Sequence, residues 1–183
     1  MPVARKNLWL DFRVKGFHPD PETNQPILVL EEAQGRFLLP IWIGMPEAGA
    51  IAAHLGGHTL PRPMTHDLTH ALVTRMGGQV VRLDVRDIVD GTFHADLIVR
   101  DPSGREHVVD CRPSDGVALA LRFDARIRVS ANVMNRGAPI LVDEPRPETM
   151  AIRAVAVDDW TARAKLGVAL EETDPDAFGK FTA

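Results

Sequence analysis

The order of elements along this chain predicts an α+β domain: a mixed, largely antiparallel sheet with helices packed against it. Three observations carry that reading. Gln79 to Val89 alternates Val81, Leu83 and Val85 with Arg82, Asp84 and Arg86, the period of a half-buried strand. Asp90-Gly91 and Ser103-Gly104 are turn pairs that divide Gln79 to Arg112 into the arms of a three-stranded meander. Before the meander, Glu47 to Leu55 and Thr65 to Met76 repeat apolar residues at helical spacing, and each stops at a glycine pair.

In chain order, Leu8 to Val14 reads as a strand and Phe17 to Gln25, with two prolines, as a loop. Ile27 to Glu32 and Arg36 to Ile43 form a hairpin around Ala33-Gln34-Gly35, the first arm apolar enough to be buried on both faces. Pro46 suits the first turn of a helix whose stripe is Ala48, Ile51, Ala52 and Leu55. Thr65 is expected to cap the next helix, with Leu68, Leu72, Val73 and Met76 facing the core. The meander strands Gln79 to Val89, Thr92 to Arg100 and Arg105 to Arg112 lead to a third helix, for which Ser114 is the expected cap. Arg126 to Val129 is a short strand, and Ser130 caps a brief helix through Asn135. Residues 1–142 read as one domain. Residues 143–183 read as a linker, an amphipathic helix over Asp158 to Leu170, and an acidic tail.

Composition narrows the function classes. At 183 residues with 45% hydrophobic content, the chain can bury a sizeable core. A single cysteine excludes an intrachain disulfide, and the residues given open without a charged-then-apolar leader, so the cytoplasm is the expected location. No apolar run approaches transmembrane length, and no membrane association is expected. The net charge is -4. From Asp143 onward there are 5 basic and 9 acidic residues, which leaves 16 of each (21 − 5 and 25 − 9) in the body. A neutral body argues against a grip on many phosphates, since counterion release drives such binding. Arg100, Arg105, Arg112, Arg122, Arg126, Arg128 and Arg136 either make a local basic patch or are interspersed with acids.

The chemistry concentrates in Asp110-Cys-Arg-Pro-Ser-Asp-Gly-Val-Ala-Leu-Ala-Leu-Arg122. Strand alternation places Asp110 and Arg112 on one face and Cys111 on the other, towards the core. Asp115 falls in the first helical turn, where the helix dipole favours an acid. Two carboxylates and a guanidinium at one corner suit metal-assisted phosphodiester hydrolysis; they equally suit an ion pair and a helix cap. Thr65-His66-Asp67 is a second such corner. His66 there is either a proton carrier or a surface side chain, and Asp67 either a ligand or a dipole partner. Glu47, in the first turn of its own helix, is open to the same two readings, and Glu31 is a further carboxylate. His66 and His70 imitate a zinc-protease pair, but the acid between them is Asp67 and no third ligand follows.

The anchor stretch resembles the signature of the bifunctional nuclease domain family. Leu39-Pro-Ile-Trp-Ile-Gly44 with Glu47-Ala48, Arg62-Pro-Met-Thr-His-Asp-Leu68 and Asp90-Gly-Thr-Phe-His-Ala95 resemble the same family, in its order, and together span Leu8 to Gly137. The chain departs from the pattern at His94, where an aromatic is usual, and at Gly116, where alanine or serine is usual. The resemblance implies a nuclease acting on DNA, RNA or both, assisted by magnesium or manganese. Asp110, Asp115 and Asp67 would then be metal ligands, Arg112 would bind phosphate, His66 would move a proton and Glu47 would add charge. The competing expectation is a non-catalytic oligomeric binding or regulatory module. In either case a homo-oligomer is expected.

Overall fold

The computed structural model describes residues 8–58, 60–137 and 139–142. The expected linker, helix and acidic tail of residues 143–183 lie outside the described residues. An eight-stranded sheet runs in the order β6-β5-β4-β7-β1-β2-β3-β8. The strands are β1 (Trp9–Pro19), β2 (Pro26–Glu32), β3 (Phe37–Trp42), β4 (Gln79–Val89), β5 (Thr92–Arg100), β6 (Glu106–Cys111), β7 (Arg126–Ser130) and β8 (Ile140–Leu141). Every pairing is antiparallel except β4 with β7. The helices are α1 (Met45–Leu55), α2 (Thr65–Arg75), α3 (Pro113–Arg122) and α4 (Ala131–Arg136). The mixed sheet and its helices match the expected α+β class.

The main core joins Leu28, Leu30, Leu39, Leu83, Val85 and Val129 of the sheet to Ile51 of α1, Val117 of α3 and Val133 of α4. β2 is buried on both faces, as its apolar run predicts. Leu28 and Leu30 enter this core, while Ile27 and Val29 form a smaller cluster with Leu38 on the opposite face. Asp90 and Gly91 both take positive φ, the backbone that their hairpin requires. Gly116 lets α3 sit directly on the sheet: a side chain there would collide with buried Leu83 and press on Cys111.

Three local expectations are corrected. The loop expected over Phe17 to Gln25 is mostly strand, because β1 passes fully buried Phe17 and pairs Pro19 with Pro26. Only Asp20 to Gln25 turns, with the Asp20 carboxylate accepting the amides of Glu22 and Thr23. The caps of α2 and α3 are Met64 and Arg112, each one or two residues before the expected Thr65 and Ser114. Pro113 explains the second shift. Its fixed φ already suits the first helical position, and it holds Arg112 extended. The third correction concerns α2, none of whose residues is buried. Leu68, Leu72 and Met76 are 51%, 53% and 77% exposed, so the apolar stripe expected to face the core looks outward. β8 is a two-residue edge strand, too short to leave a periodic signal in the sequence. Ser130 does cap α4, accepting the Val133 amide.

Candidate active site at two helix starts

α3 begins where β6 ends at Cys111. Freed from the strand, Arg112 turns towards its own helix. Its Nε donates to Asp115 Oδ2 at 2.7 Å, and its Nη2 reaches Asp115 Oδ1 at 3.2 Å. The same Nη2 lies 2.7 Å from Glu47 Oε1 at the start of α1. Gly44 makes room for that carboxylate, since a side chain at Gly44 would collide with it. From α2, His66 Nε2 lies 3.0 Å from Asp115 Oδ1. Residues 49 apart in sequence thus complete a continuous line, His66–Asp115–Arg112–Glu47, drawn from the first turns of three helices.

Electrostatics follow from those contacts. Partial burial acts to raise the Asp115 carboxyl, but the hydrogen bonds from Arg112 and His66 outweigh it and leave it below the ordinary carboxylate range. Asp115 in turn raises the Arg112 guanidinium further, with Glu47 adding to the effect. With Nε2–H donating to Asp115, the imidazole keeps its Nδ1 lone pair for a proton. Beside Arg112 lies a cleft of about 580 Å³.

The other expected residues lie elsewhere. Asp110 stays on β6 beside Asp96 of β5, and Arg86 of β4 holds both, 2.9 Å from each carboxylate. Cys111, one residue on, points to the helix side against Gly116, so alternation puts Asp110 on the opposite face of the sheet from α3. This corrects the expectation that Asp110 and Arg112 share a face: the strand ends before Arg112, which leaves with the helix. Asp67 accepts the Met64 amide at 2.9 Å and Arg122 Nε at 2.7 Å. Asp110, Asp115 and Asp67 therefore do not converge, and among the described residues no three His, Cys, Asp or Glu side chains stand ready to hold a metal ion. Their donor set does not fit a shared cation.

The remaining candidates resolve into structural roles. His70 packs its ring on Phe123, 4.4 Å between centroids. Glu31 pairs with Arg13 and Lys15. Burial, then the neighbouring Asp110 and Asp115, pushes the Cys111 thiol up to about 11, the wrong direction for a nucleophile. Of the seven arginines, Arg100, Arg112, Arg122, Arg128 and Arg136 each pair with an acid, so the interspersed reading holds for them. Arg122 was missed as a site residue. Its side chain is 5% exposed, and the guanidinium joins Asp67 of α2 to the carbonyls of Ala118 and Ala50. Its sequence signal, an arginine in the last turn of a helix rich in small residues, is shared with ordinary dipole partners.

The bifunctional nuclease domain model matches residues 28–142. The chain belongs to the bifunctional nuclease domain family. Every residue of the His66–Asp115–Arg112–Glu47 line falls inside the matched region, as do all the helices that position it. Two uncharacterised proteins of Mycobacterium tuberculosis, MT1877 of strain CDC 1551 / Oshkosh and Rv1829 of strain ATCC 25618 / H37Rv, are similar to it. Each is 39% identical over 169 residues, covering 92% of this chain and 97% of the relative. Among the described residues no helix is long and apolar enough to cross a membrane.

A pH dependence follows from the site. Partial burial opposes ionisation of Asp67, and Arg122 and the Met64 amide overcome it, so its carboxyl, like that of Asp115, is lowered. A carboxyl lowered in the folded state adds stability above its unfolded value of about 4, and that stability is lost as pH falls through the folded value. The thermal midpoint should therefore drop between about pH 5 and pH 3. Asp115→Asn should show a shallower drop over that window in the same melts; an unchanged slope would remove Asp115 from the account.

Proposed function

We propose that this chain is a nuclease that hydrolyses phosphodiester bonds in DNA, RNA or both, working in the cytoplasm. The observation that carries the reading is the His66–Asp115 contact backed by Arg112. An imidazole held by a carboxylate is a proton carrier of fixed tautomer, and the adjoining guanidinium, its Nε and Nη2 held by Asp115 and Glu47, keeps Nη1 for a phosphate oxygen. In this reading His66 takes the proton of the attacking water, Asp115 orients the imidazole, and Arg112 binds the phosphate. Glu47 positions Arg112, and Asp67 positions α2 through Arg122. Asp110 is left outside the reacting groups. Magnesium or manganese, implied by the family resemblance, has no preformed ligand set among the described residues and enters only as a condition of the assay. Purified protein is incubated with single- and double-stranded DNA and RNA, with each ion and with chelator. Cleavage in any arm that is lost in Asp115→Asn supports the reading; cleavage unaffected by that change overturns it.

The exposed stripe of α2 favours a second reading that is compatible with the first, a homo-oligomer. Large apolar residues spaced by four along one exposed face usually mark an interface. Sedimentation should show a dimer or larger assembly. Leu68→Ser with Leu72→Ser should shift it towards monomer with an unchanged circular dichroism spectrum, because neither side chain is buried in the single chain. A parent that sediments as a monomer would remove the interface.

A further inference from the structure

The face of the sheet away from the helices carries an apolar patch that no described helix covers. Ile27 and Val29 of β2 and Leu38 of β3 form a buried cluster there, with Ile140 of β8 packed against it. Pro40, paired with Val29, and Trp42, paired with Ile27, lie on the same face. α1, α3 and α4 pack into the core on the other side, and α2 rests on α3. We propose that residues 150–170 of this chain fold back over the patch, with Trp160, Ala164 and Val168 as the side chains that meet it. The proposal goes beyond the nuclease reading and does not depend on it.

Burial decides the kind of occupant. Val29 is 0% exposed, and Pro40 beside it is buried. The residues paired with Val29 are Gly16, which has no side chain, and Pro40, whose ring is short. On an open sheet face, a valine between a glycine and a proline keeps contact with water, so a further layer lies over it. That burial exists within a single chain, so the layer belongs to the chain itself. A second copy or another protein is not required.

The place where β8 leaves the chain favours the C-terminal segment. β8 pairs with β3 at the edge of the sheet, and the Val142 amide donates to the Arg36 carbonyl at 3.1 Å. From β8 across β3 to β2 is two strand spacings, about 10 Å. Residues 143–149 can reach roughly 23 Å, and Pro145 and Pro147 favour an extended path, so the chain can return to the patch with length to spare. Met150 to Val157 is apolar at every position but Arg153. In the amphipathic helix expected over Asp158 to Leu170, Trp160, Ala164 and Val168 follow at four-residue spacing, a stripe without charge. Residues 1–7 are worse placed, because they enter beside Trp9, roughly 23 Å along β1 from Gly16.

The test uses the full chain with a photoreactive benzophenone amino acid in place of Trp42, which is exposed at the edge of the patch. Ordinary and heavy-nitrogen-labelled chains are mixed in equal amounts before irradiation. Mass spectrometry should find that position joined to residues 150–170 of the same chain, as peptide pairs carrying one label. Crosslinks only between differently labelled chains, only to residues 1–7, or only within residues 8–142 overturn the proposal. Independently, Trp160→Ser with Val168→Ser in the full chain should lower the thermal midpoint by roughly 5 °C or more and raise the binding of a hydrophobic dye, since the patch loses its cover. Lys165→Ser, outside the stripe, should change neither. A double variant that melts and binds dye like the parent, or an equal loss in Lys165→Ser, also overturns it.

Discussion

In the proposed nuclease, His66→Ala should lower the rate of phosphodiester cleavage about 10²- to 10⁴-fold at neutral pH, the loss expected when a positioned proton carrier is removed. His66 lies on α2, the helix with no buried residue, and its side chain, 14% exposed, hydrogen-bonds Asp115. It belongs to none of the core clusters, so a variant that still melts cooperatively keeps the comparison of rates valid well below its midpoint. Asp115→Asn should lose nearly as much activity, because the amide cannot hold the same tautomer and releases Arg112 as well. The two changes act on one unit, so the double variant should be little slower than the worse single variant. Asp110→Ala is the control. Its carboxylate is bonded to Arg86 on the other face of the sheet, and the rate should stay within about twofold of the parent. If Asp110→Ala abolishes cleavage while His66→Ala does not, the reacting groups have been assigned to the wrong side of the sheet.

The contrast between these residues shows what sequence patterning reports. Alternation in β4 and the turn pairs Asp90-Gly91 and Ser103-Gly104 determine their own geometry locally, so the meander was legible to within a residue. The helix starts were legible as well, because proline and the following acids act within a single turn. Which elements meet was not. Nothing near Asp115 in sequence announces His66, and no local pattern distinguishes an Asp110 that ends up across the sheet from one that follows Arg112. The α2 stripe failed for a related reason. Periodicity shows that Leu68, Leu72 and Met76 share a face, but an apolar face turned to the core and one left for a partner have the same period. Arg122 was legible only as a charge, since its value lies in reaching three helices at once.

That reach makes Arg122→Met the most destabilising of the changes considered. The guanidinium bonds Asp67 of α2 at 2.7 Å, the Ala118 carbonyl of α3 at 2.8 Å and the Ala50 carbonyl of α1 at 3.3 Å. Methionine fills much of the stem but leaves the Ala50 carbonyl and the Asp67 carboxylate short of a donor. Removing one partner of a fully buried pair costs about 3–5 kcal/mol. Asp67 is 39% exposed and water can rescue part of it, so about 2–3 kcal/mol is expected, a fall of roughly 5–15 °C in the thermal midpoint. Arg122→Lys should recover little, because a single ammonium cannot span the three acceptors. Asp67→Asn alone should cost less, and pairing it with Arg122→Met should give a coupling energy of about 1 kcal/mol or more. The functional consequence separates this residue from a remote core position. With α2 untied from α3, His66 is no longer held against Asp115, so the remaining folded protein should cleave more slowly at temperatures well below its midpoint. An Arg122→Met protein that melts like the parent and cleaves at the parent's rate would show that α2 is held by other means.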